Sequence, residues 1–184
     1  MFKRFMLSKI MSYGTIAGFV VGIPMFVLAV ATQGLPPMPY GMVIGYLTML
    51  VALSTVFVAI KRHRDVDRGG IIGFWPAFGL GLGISFVASL FYVAAWEITI
   101  AFTHVDFGAF YANMLIEEKK AKGVSGEALA QFTKQMQQFV SDYANPLYRL
   151  PMTFTEIFPV GVLVSLVAAA LFRNRRFLAL QRSQ

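Results

Sequence analysis

The sequence predicts an all-α integral membrane protein: four transmembrane helices, with an extracytoplasmic amphipathic helical hairpin between the third and the fourth. Three observations predict it. Apolar residues gather into blocks of about twenty or more, charge is scarce, and lysine and arginine concentrate between alternate blocks. Of the 184 residues, 57% are hydrophobic and 14% charged, where a soluble domain carries about 25% charged residues. The mean hydropathy is +0.65. One membrane domain over residues 1–184 accounts for the length.

The first block runs from about Tyr13 to Thr32, behind Lys3, Arg4 and Lys9. Twenty residues at helical rise reach about 30 Å, the thickness of a hydrocarbon core. Ala29-Val30-Ala31 after a basic start also suits a signal-peptide cleavage site. The apolar stretch exceeds the usual core of about 7–15 residues, so an uncleaved anchor is the expectation. A turn rich in glycine and proline follows over residues 33–39, and the second block spans about Tyr40 to Ile60. It stops at Lys61-Arg62-His63-Arg64, and Gly69-Gly70 then breaks the chain. The third block runs from about Phe74 to Phe102, with Trp75 suited to an interface and Pro76 tolerable in a first helical turn.

Residues 104–146 change character. Phe107, Phe110, Tyr111, Met114 and Leu115 form one stripe, and Leu129, Phe132, Met136, Phe139 and Tyr143 a second, at spacings of three and four. Gly123 is placed as a helix stop and Ser125 as the next N-cap, which together read as a hairpin. Asn145-Pro146 ends it, and Pro151 is taken to open a last span from about Met152 to Phe172.

Orientation follows from the basic residues. Lys3, Arg4 and Lys9 precede the first span, Lys61, Arg62, Arg64 and Arg68 follow the second, and Arg173, Arg175, Arg176 and Arg182 follow the fourth. Over residues 104–150, the hairpin with the start of the last span, five basic residues are balanced by five acids. Both termini are therefore expected in the cytoplasm and the hairpin outside. The basic cluster Lys61, Arg62, Arg64 and Arg68 reads first as a topology signal and second as a lipid-headgroup site. Asp65 and Asp67 beside it argue against phosphate or nucleic acid.

The formal charge of +7 suits anionic headgroups, because the charges flank the apolar blocks. Absence of cysteine excludes disulfides, thiolate metal sites and cysteine nucleophiles. The two histidines, His63 and His104, are too few for a histidine-based metal centre, and no cofactor is expected.

Two sets of residues remain as candidates. Gly14, Gly18 and Gly22 repeat at every fourth position, with Gly41 and Gly45 in the second span and Gly79 and Gly83 in the third. Small residues so spaced let helices approach closely, within one bundle or across a homodimer. Glu97 and Glu156 are the ionisable residues inside apolar blocks. Helical rise puts both near the outer edge of the hydrocarbon, about 30 Å and about 24 Å from the cytoplasmic ends of their helices. Neighbouring carboxylates would raise one pKa and make a proton site conceivable. The competing reading has each reach headgroups or pair with Arg149 or His104.

Met42-Val43-Ile44-Gly45-Tyr46, Ala59-Ile60-Lys61-Arg62-His63-Arg64-Asp65, Tyr92-Val93-Ala94-Ala95-Trp96-Glu97-Ile98 and Glu156-Ile157-Phe158-Pro159-Val160-Gly161, in that order, resemble a bacterial membrane family, domain of unknown function 4199 (DUF4199). The likeness extends from about Tyr13 to Arg173. It implies a small four-span bacterial membrane protein and supplies no activity, substrate or cofactor. His63 and Pro76 depart from the family pattern, which has an aromatic and a polar or basic residue there.

The functional expectation is a non-enzymatic protein of the bacterial inner membrane with a structural, lipid-interacting or partner-docking role. Its expected partners are the lipid bilayer and either a second copy or another envelope protein, and nucleic acid is not among them. The alternative is a small transporter or proton-coupled carrier using Glu97 and Glu156.

Overall fold

The computed structural model describes residues 2–32 and 40–178, with the side chains of 2–5 and 42 outside that description. The glycine- and proline-rich turn expected over residues 33–39 lies outside the described residues. What is described is helical, with no strand. The helices are α1 (Phe2–Ala31), α2 (Gly41–Leu53), α3 (Thr55–Arg62), α4 (Phe74–Thr103), α5 (Phe107–Ala121), α6 (Gly126–Ala144) and α7 (Pro146–Phe172), and a π-helical turn covers His63–Asp67. Four stretches are long and apolar enough to cross a membrane: Met6–Ala31, Val43–Asp67, Phe74–Thr103 and Pro146–Phe172.

The second of these is one path made of α2, α3 and the π-turn. Ser54 separates α2 from α3 but keeps right-handed helical angles, and its hydroxyl donates to the Val51 carbonyl at 2.6 Å. Thr55 does the same to Ala52 at 2.8 Å. Such hydroxyl-to-backbone bonds bend a helix without ending it.

Two boundaries differ from expectation. The first helix begins well before Tyr13, because Lys9 does not end it: its ammonium turns inward to pair with Asp67. The last begins at Pro146 and not after Pro151. Asn145 accepts a hydrogen bond from the Leu147 amide at 3.0 Å, and Pro146 takes the first helical position, where a missing N–H leaves no bond unmade. Pro151 and Pro159 then lie inside α7. Membrane helices tolerate this where neighbours or water satisfy the freed carbonyls.

α4 is the central helix, packed chiefly against α1 and α7. Half of its most apolar stretch is buried in the protein, against a third or less for the other three. The core divides along its length. Towards one end Val56, Ala59, Ile60, Ile72, Ala77, Leu80, Ile84, Ala168, Ala169 and Phe172 form one cluster. Towards the other, Val21, Met49, Ala52, Leu53, Tyr92 and Ile157 form a second. Phe19, Ile23, Val58, Leu90, Ile98 and Leu163 point outward, each more than 48% exposed, which leaves an apolar flank for lipid.

Small residues set the close approaches. A Cβ on Gly14 would stand 2.6 Å from Val87 Cβ, one on Gly18 2.3 Å from Phe91 Cβ, and one on Gly22 2.8 Å from Ala95 Cβ. This is the α1–α4 contact, and Gly83 adds to it against Ile10 at 2.6 Å. Gly45 and Gly79 do not belong to it: nothing lies within 4 Å of a Cβ at either. Gly41 opens α2. The α4–α7 contact uses Gly81 and Gly161, which the four-residue spacing does not single out. Their added Cβ atoms would meet Ser165 Oγ at 2.8 Å and Ser85 Cβ at 2.5 Å.

Between α4 and α7 the chain forms two further helices. Asp106 caps α5 by accepting from the Ala109 amide at 2.9 Å. Gly123 takes φ +81°, and the amides of Gly123 and Val124 bond back to the carbonyls of Lys120 (2.9 Å) and Lys119 (3.1 Å). That pattern of a left-handed glycine with two crossed bonds ends a helix efficiently. Ser125 holds the N-cap position of α6 without a side-chain cap bond. α5 and α6 pack through Tyr111 on Phe139 (ring centroids 5.9 Å apart), Phe107 on Tyr143 (5.8 Å), and the Lys119 ammonium over Phe132. Their solvent faces carry the pairs Glu117–Lys120 and Glu118–Lys122, and the Lys122 ammonium holds the Glu118 carboxyl below its ordinary range.

Candidate functional site at the two ends of the bundle

Polar side chains gather at both ends of α4 and its neighbours. At the end shared with α5 and α6, Glu97 of α4 meets Arg149 of α7. Nε of Arg149 donates to Glu97 Oε1 at 2.7 Å and Nη2 to Oε2 at 2.6 Å. This two-pronged geometry is the strong form of an ion pair. The third prong, Nη1, donates to the Tyr143 carbonyl at 3.1 Å, and the guanidinium lies 5.7 Å from the Tyr143 ring centre. Trp96, next to Glu97, donates its indole N–H to the Tyr143 hydroxyl at 2.7 Å. The Phe107 ring meets Trp96 edge-on with centroids 4.9 Å apart. Burial pushes the Tyr143 phenol up to about 12, and the Trp96 bond only partly opposes it. The phenol is therefore neutral at any physiological pH.

Glu156 has a different partner. The Tyr92 hydroxyl donates to its Oε2 at 3.2 Å. Tyr92 is buried and Glu156 lies exposed on the flank of α7. The two carboxylates thus have different hydrogen-bond partners, and the charge of each reaches the Tyr143 phenol. Arg149 partners Glu97 as one reading expected. His104 does not: it is the exposed C-cap of α4 in the left-handed region at φ 52°, and among the described residues it joins no ion pair. The physical reason is the late start expected for α7. With the helix already formed at Pro146, Arg149 stands in its first turn, opposite Glu97 and within reach of the Tyr143 carbonyl.

The opposite end holds a network centred on the π-turn. Asp67 receives Lys9 from α1 and His63 Nδ1 at 2.6 Å. Asp65 receives Lys61 at 2.8 Å and Arg64 Nε at 2.7 Å. Arg64 is 1% exposed. Its other prongs donate to the carbonyls of Phe177 (2.7 Å) and Leu178 (2.8 Å), and its guanidinium sits 5.1 Å from the Phe172 ring centre. The basic cluster is therefore not one surface. Lys61 and Arg64 are tied to Asp65, whereas Arg62 is exposed.

A π-helical turn is uncommon and recurs at functional sites. Here it brings His63 and Arg64, sequence neighbours, both into the interior. Spacings of four, Lys61 to Asp65 and His63 to Asp67, carried a signal for the local bonds. No spacing points to Lys9 or to the carbonyls of residues 177 and 178.

The buried hydroxyls midway along the bundle serve packing. Ser165 donates to the Gly161 carbonyl at 2.7 Å, Ser85 to the same carbonyl at 3.2 Å, and Ser89 to Ser85 at 2.8 Å. Among the described residues no group of three or more histidine, cysteine, aspartate or glutamate side chains converges on a point that could hold a metal ion.

Residues 12–174 match the model of a family described as "Protein of unknown function (DUF4199)". No curated protein and no solved structure matches the chain.

Proposed function

Given that the chain belongs to the DUF4199 family, whose description assigns no activity, we propose from its own residues that it is a non-enzymatic membrane protein in which α5 and α6 form an outer cap with a structural and docking role. The observation that carries this reading is the clamp of Glu97, Arg149, Tyr143 and Trp96, which ties α6 to both α4 and α7. A bidentate ion pair at the edge of the hydrocarbon is an expensive way to hold a loop. It makes sense where the cap must keep one fixed attitude over the bundle. In this reading the membrane is the bacterial inner membrane with both termini in the cytoplasm, an orientation supported by the weight of basic residues in the termini and in residues 61–68. Beyond the bilayer, the partner is a second copy or another envelope protein, and nucleic acid has no place in this reading.

The clamp can be tested by removing one partner and then both. Arg149→Met leaves the Glu97 carboxylate unpaired and is expected to lower unfolding stability in detergent by about 2–3 kcal/mol. Adding Glu97→Gln should return about half of that loss, since the stranded charge is gone. Limited proteolysis near Gly123 should speed up in Arg149→Met alone. A variant as stable and as protease-resistant as the parent would remove the basis for the cap.

One observation favours a carrier as second reading. Glu156 is exposed on the flank of α7 and holds only a tyrosine hydroxyl, with no cation among the described residues. An uncompensated carboxylate at membrane depth is a functional candidate. Reconstituted vesicles would then show a solute or proton flux that Glu156→Gln abolishes, and silence across a broad solute panel would leave the cap reading alone.

A further inference from the structure

We propose that the end of the bundle where α3 and α7 finish binds anionic phospholipid headgroups through Arg62, Arg173, Arg175 and Arg176, and not through the neighbouring Lys9, Lys61 and Arg64. The proposal rests on the membrane-spanning reading above and is independent of the role of the cap.

Carboxylates are scarce at this end of the bundle and already taken. Eleven of the sixteen basic residues lie in the two termini and in residues 61–68, and only two of the nine acids do, Asp65 and Asp67. Both acids are already engaged. Asp65 holds Lys61 and Arg64, and Asp67 holds Lys9 and His63. Arg62, Arg173, Arg175 and Arg176 are exposed, and among the described residues no carboxylate lies within ion-pair distance of any of them.

Three of these four belong to the segment that follows α7, and that segment is fastened. Arg64 grips the carbonyls of Phe177 and Leu178 from the inside, and Phe177 stacks edge-on to Phe172 with centroids 5.2 Å apart. The amides of Asn174 and Phe177 bond to the carbonyls of Leu171 and Asn174, both at 3.1 Å. The buried arginine therefore works for the exposed ones: it pins them beside the end of α3, where Arg62 stands. Cations on a fixed rim lose less freedom on meeting a phosphate than cations on a loose tail.

The apolar surroundings fit the same surface. Trp75 is 75% exposed and Val66 72% exposed at this end of the molecule. An exposed indole beside uncompensated guanidinium groups matches the headgroup layer, where aromatic rings and basic side chains both settle. Guanidinium is also the side chain that binds a phosphate oxygen pair with two donors at once.

The test uses the full chain in nanodiscs of equal parts phosphatidylglycerol and phosphatidylcholine, followed by detergent washing and counting of the retained lipids. The parent should retain phosphatidylglycerol over phosphatidylcholine by about tenfold or more, given about a fivefold contribution per basic residue near an anionic surface. Replacing all four arginines by glutamine should bring the ratio near one, and replacing all four by lysine should keep most of it. Lys9→Gln with Lys61→Gln should leave it unchanged. A four-glutamine variant that still selects phosphatidylglycerol overturns the proposal, as does a Lys9/Lys61 variant that loses selection equally. If millimolar inorganic phosphate displaces the retained lipid, the rim reads free anions and the lipid assignment fails. A chain that inserts into the nanodisc without lipid preference sinks this inference alone. One that does not insert at all sinks the membrane reading beneath it.

Discussion

Arg64→Met is expected to lower the stability of the protein by about 2–4 kcal/mol, the sum of several charge-assisted hydrogen bonds less their rehydration. Arg64 is 1% exposed and serves three acceptors in two distant stretches of sequence: the neighbouring Asp65 carboxylate, and the carbonyls of Phe177 and Leu178. Its guanidinium also covers the Phe172 ring. Methionine fills much of the space and supplies none of the donors. Asp65 would keep Lys61, so the carboxylate is not stranded, which holds the loss below that of a fully orphaned buried charge. Arg64→Lys keeps the charge but cannot fork toward three acceptors, and should recover less than half of the loss. The stability is read by thermal unfolding in detergent. A second readout is local: trypsin should cleave after Arg173, Arg175 and Arg176 sooner in Arg64→Met than in the parent. Equal cleavage and an equal midpoint would show that the segment after α7 holds its place without this arginine.

Span placement was legible because it rests on runs of one composition. The third span, expected from Phe74 to Phe102, is a helix from Phe74 to Thr103. Local chemistry was legible too where a single residue decides it, as at Gly123, whose left-handed backbone ends α5. What escaped the sequence depends on which faces meet. Gly14, Gly18 and Gly22 carry the same spacing as Gly41 and Gly45, yet the first set abuts α4 and Gly45 faces open space. Spacing places residues on one face of a helix without saying what stands opposite. The same limit hid Gly81 and Gly161, whose significance lies in Ser165 and Ser85 across the gap.

The candidate site divides in the same manner. Glu97 and Glu156 were visible because a carboxylate within an apolar run is conspicuous, and Arg149 because it is the one basic residue near the start of the last span. The partner of Glu97 depends on where α7 begins. Starting α7 at Pro146 sets Arg149 on a rigid element facing Glu97, so the carboxylate is met by a guanidinium and not by its twin. At the other end the aspartates were read as a reason against phosphate binding. They do more: they absorb particular cations and leave others bare, a distribution that no count of charges contains.

Gly161→Val is expected to cost more than about 3 kcal/mol, the upper reach of ordinary overpacking, because its clash is with a neighbouring helix that cannot yield. A Cβ at Gly161 alone would stand 2.5 Å from Ser85 Cβ and 2.8 Å from its Oγ. The seam is reciprocal, since a Cβ at Gly81 would stand 2.9 Å from Ser165 Cβ and 3.0 Å from Val56 Cγ1. Four small residues thus let α4 and α7 approach, and Ser85 and Ser165 both donate to the Gly161 carbonyl across and along the contact. Separating the helices to admit a branched side chain would break the interhelical bond and open the core around Leu80, Ile84 and Ala168. In lipid no hydrophobic force drives the helices back together, so the lost van der Waals contact is not replaced. Gly45→Val and Gly79→Val provide the control, because nothing lies within 4 Å of a Cβ at either position. They should change stability by less than about 1 kcal/mol, since the loss of a poor helix former offsets the cost of the larger side chain. A milder pair sharpens the test: Gly161→Ala should destabilise, and Ser85→Gly in the same chain should restore part of the loss by vacating the space that the new methyl needs. If Gly161→Val and Gly45→Val unfold alike, the α4–α7 seam does not hold the bundle together. If Gly45→Val instead splits a dimer while the monomer keeps its stability, the open glycine face of α2 belongs to a second copy of the chain.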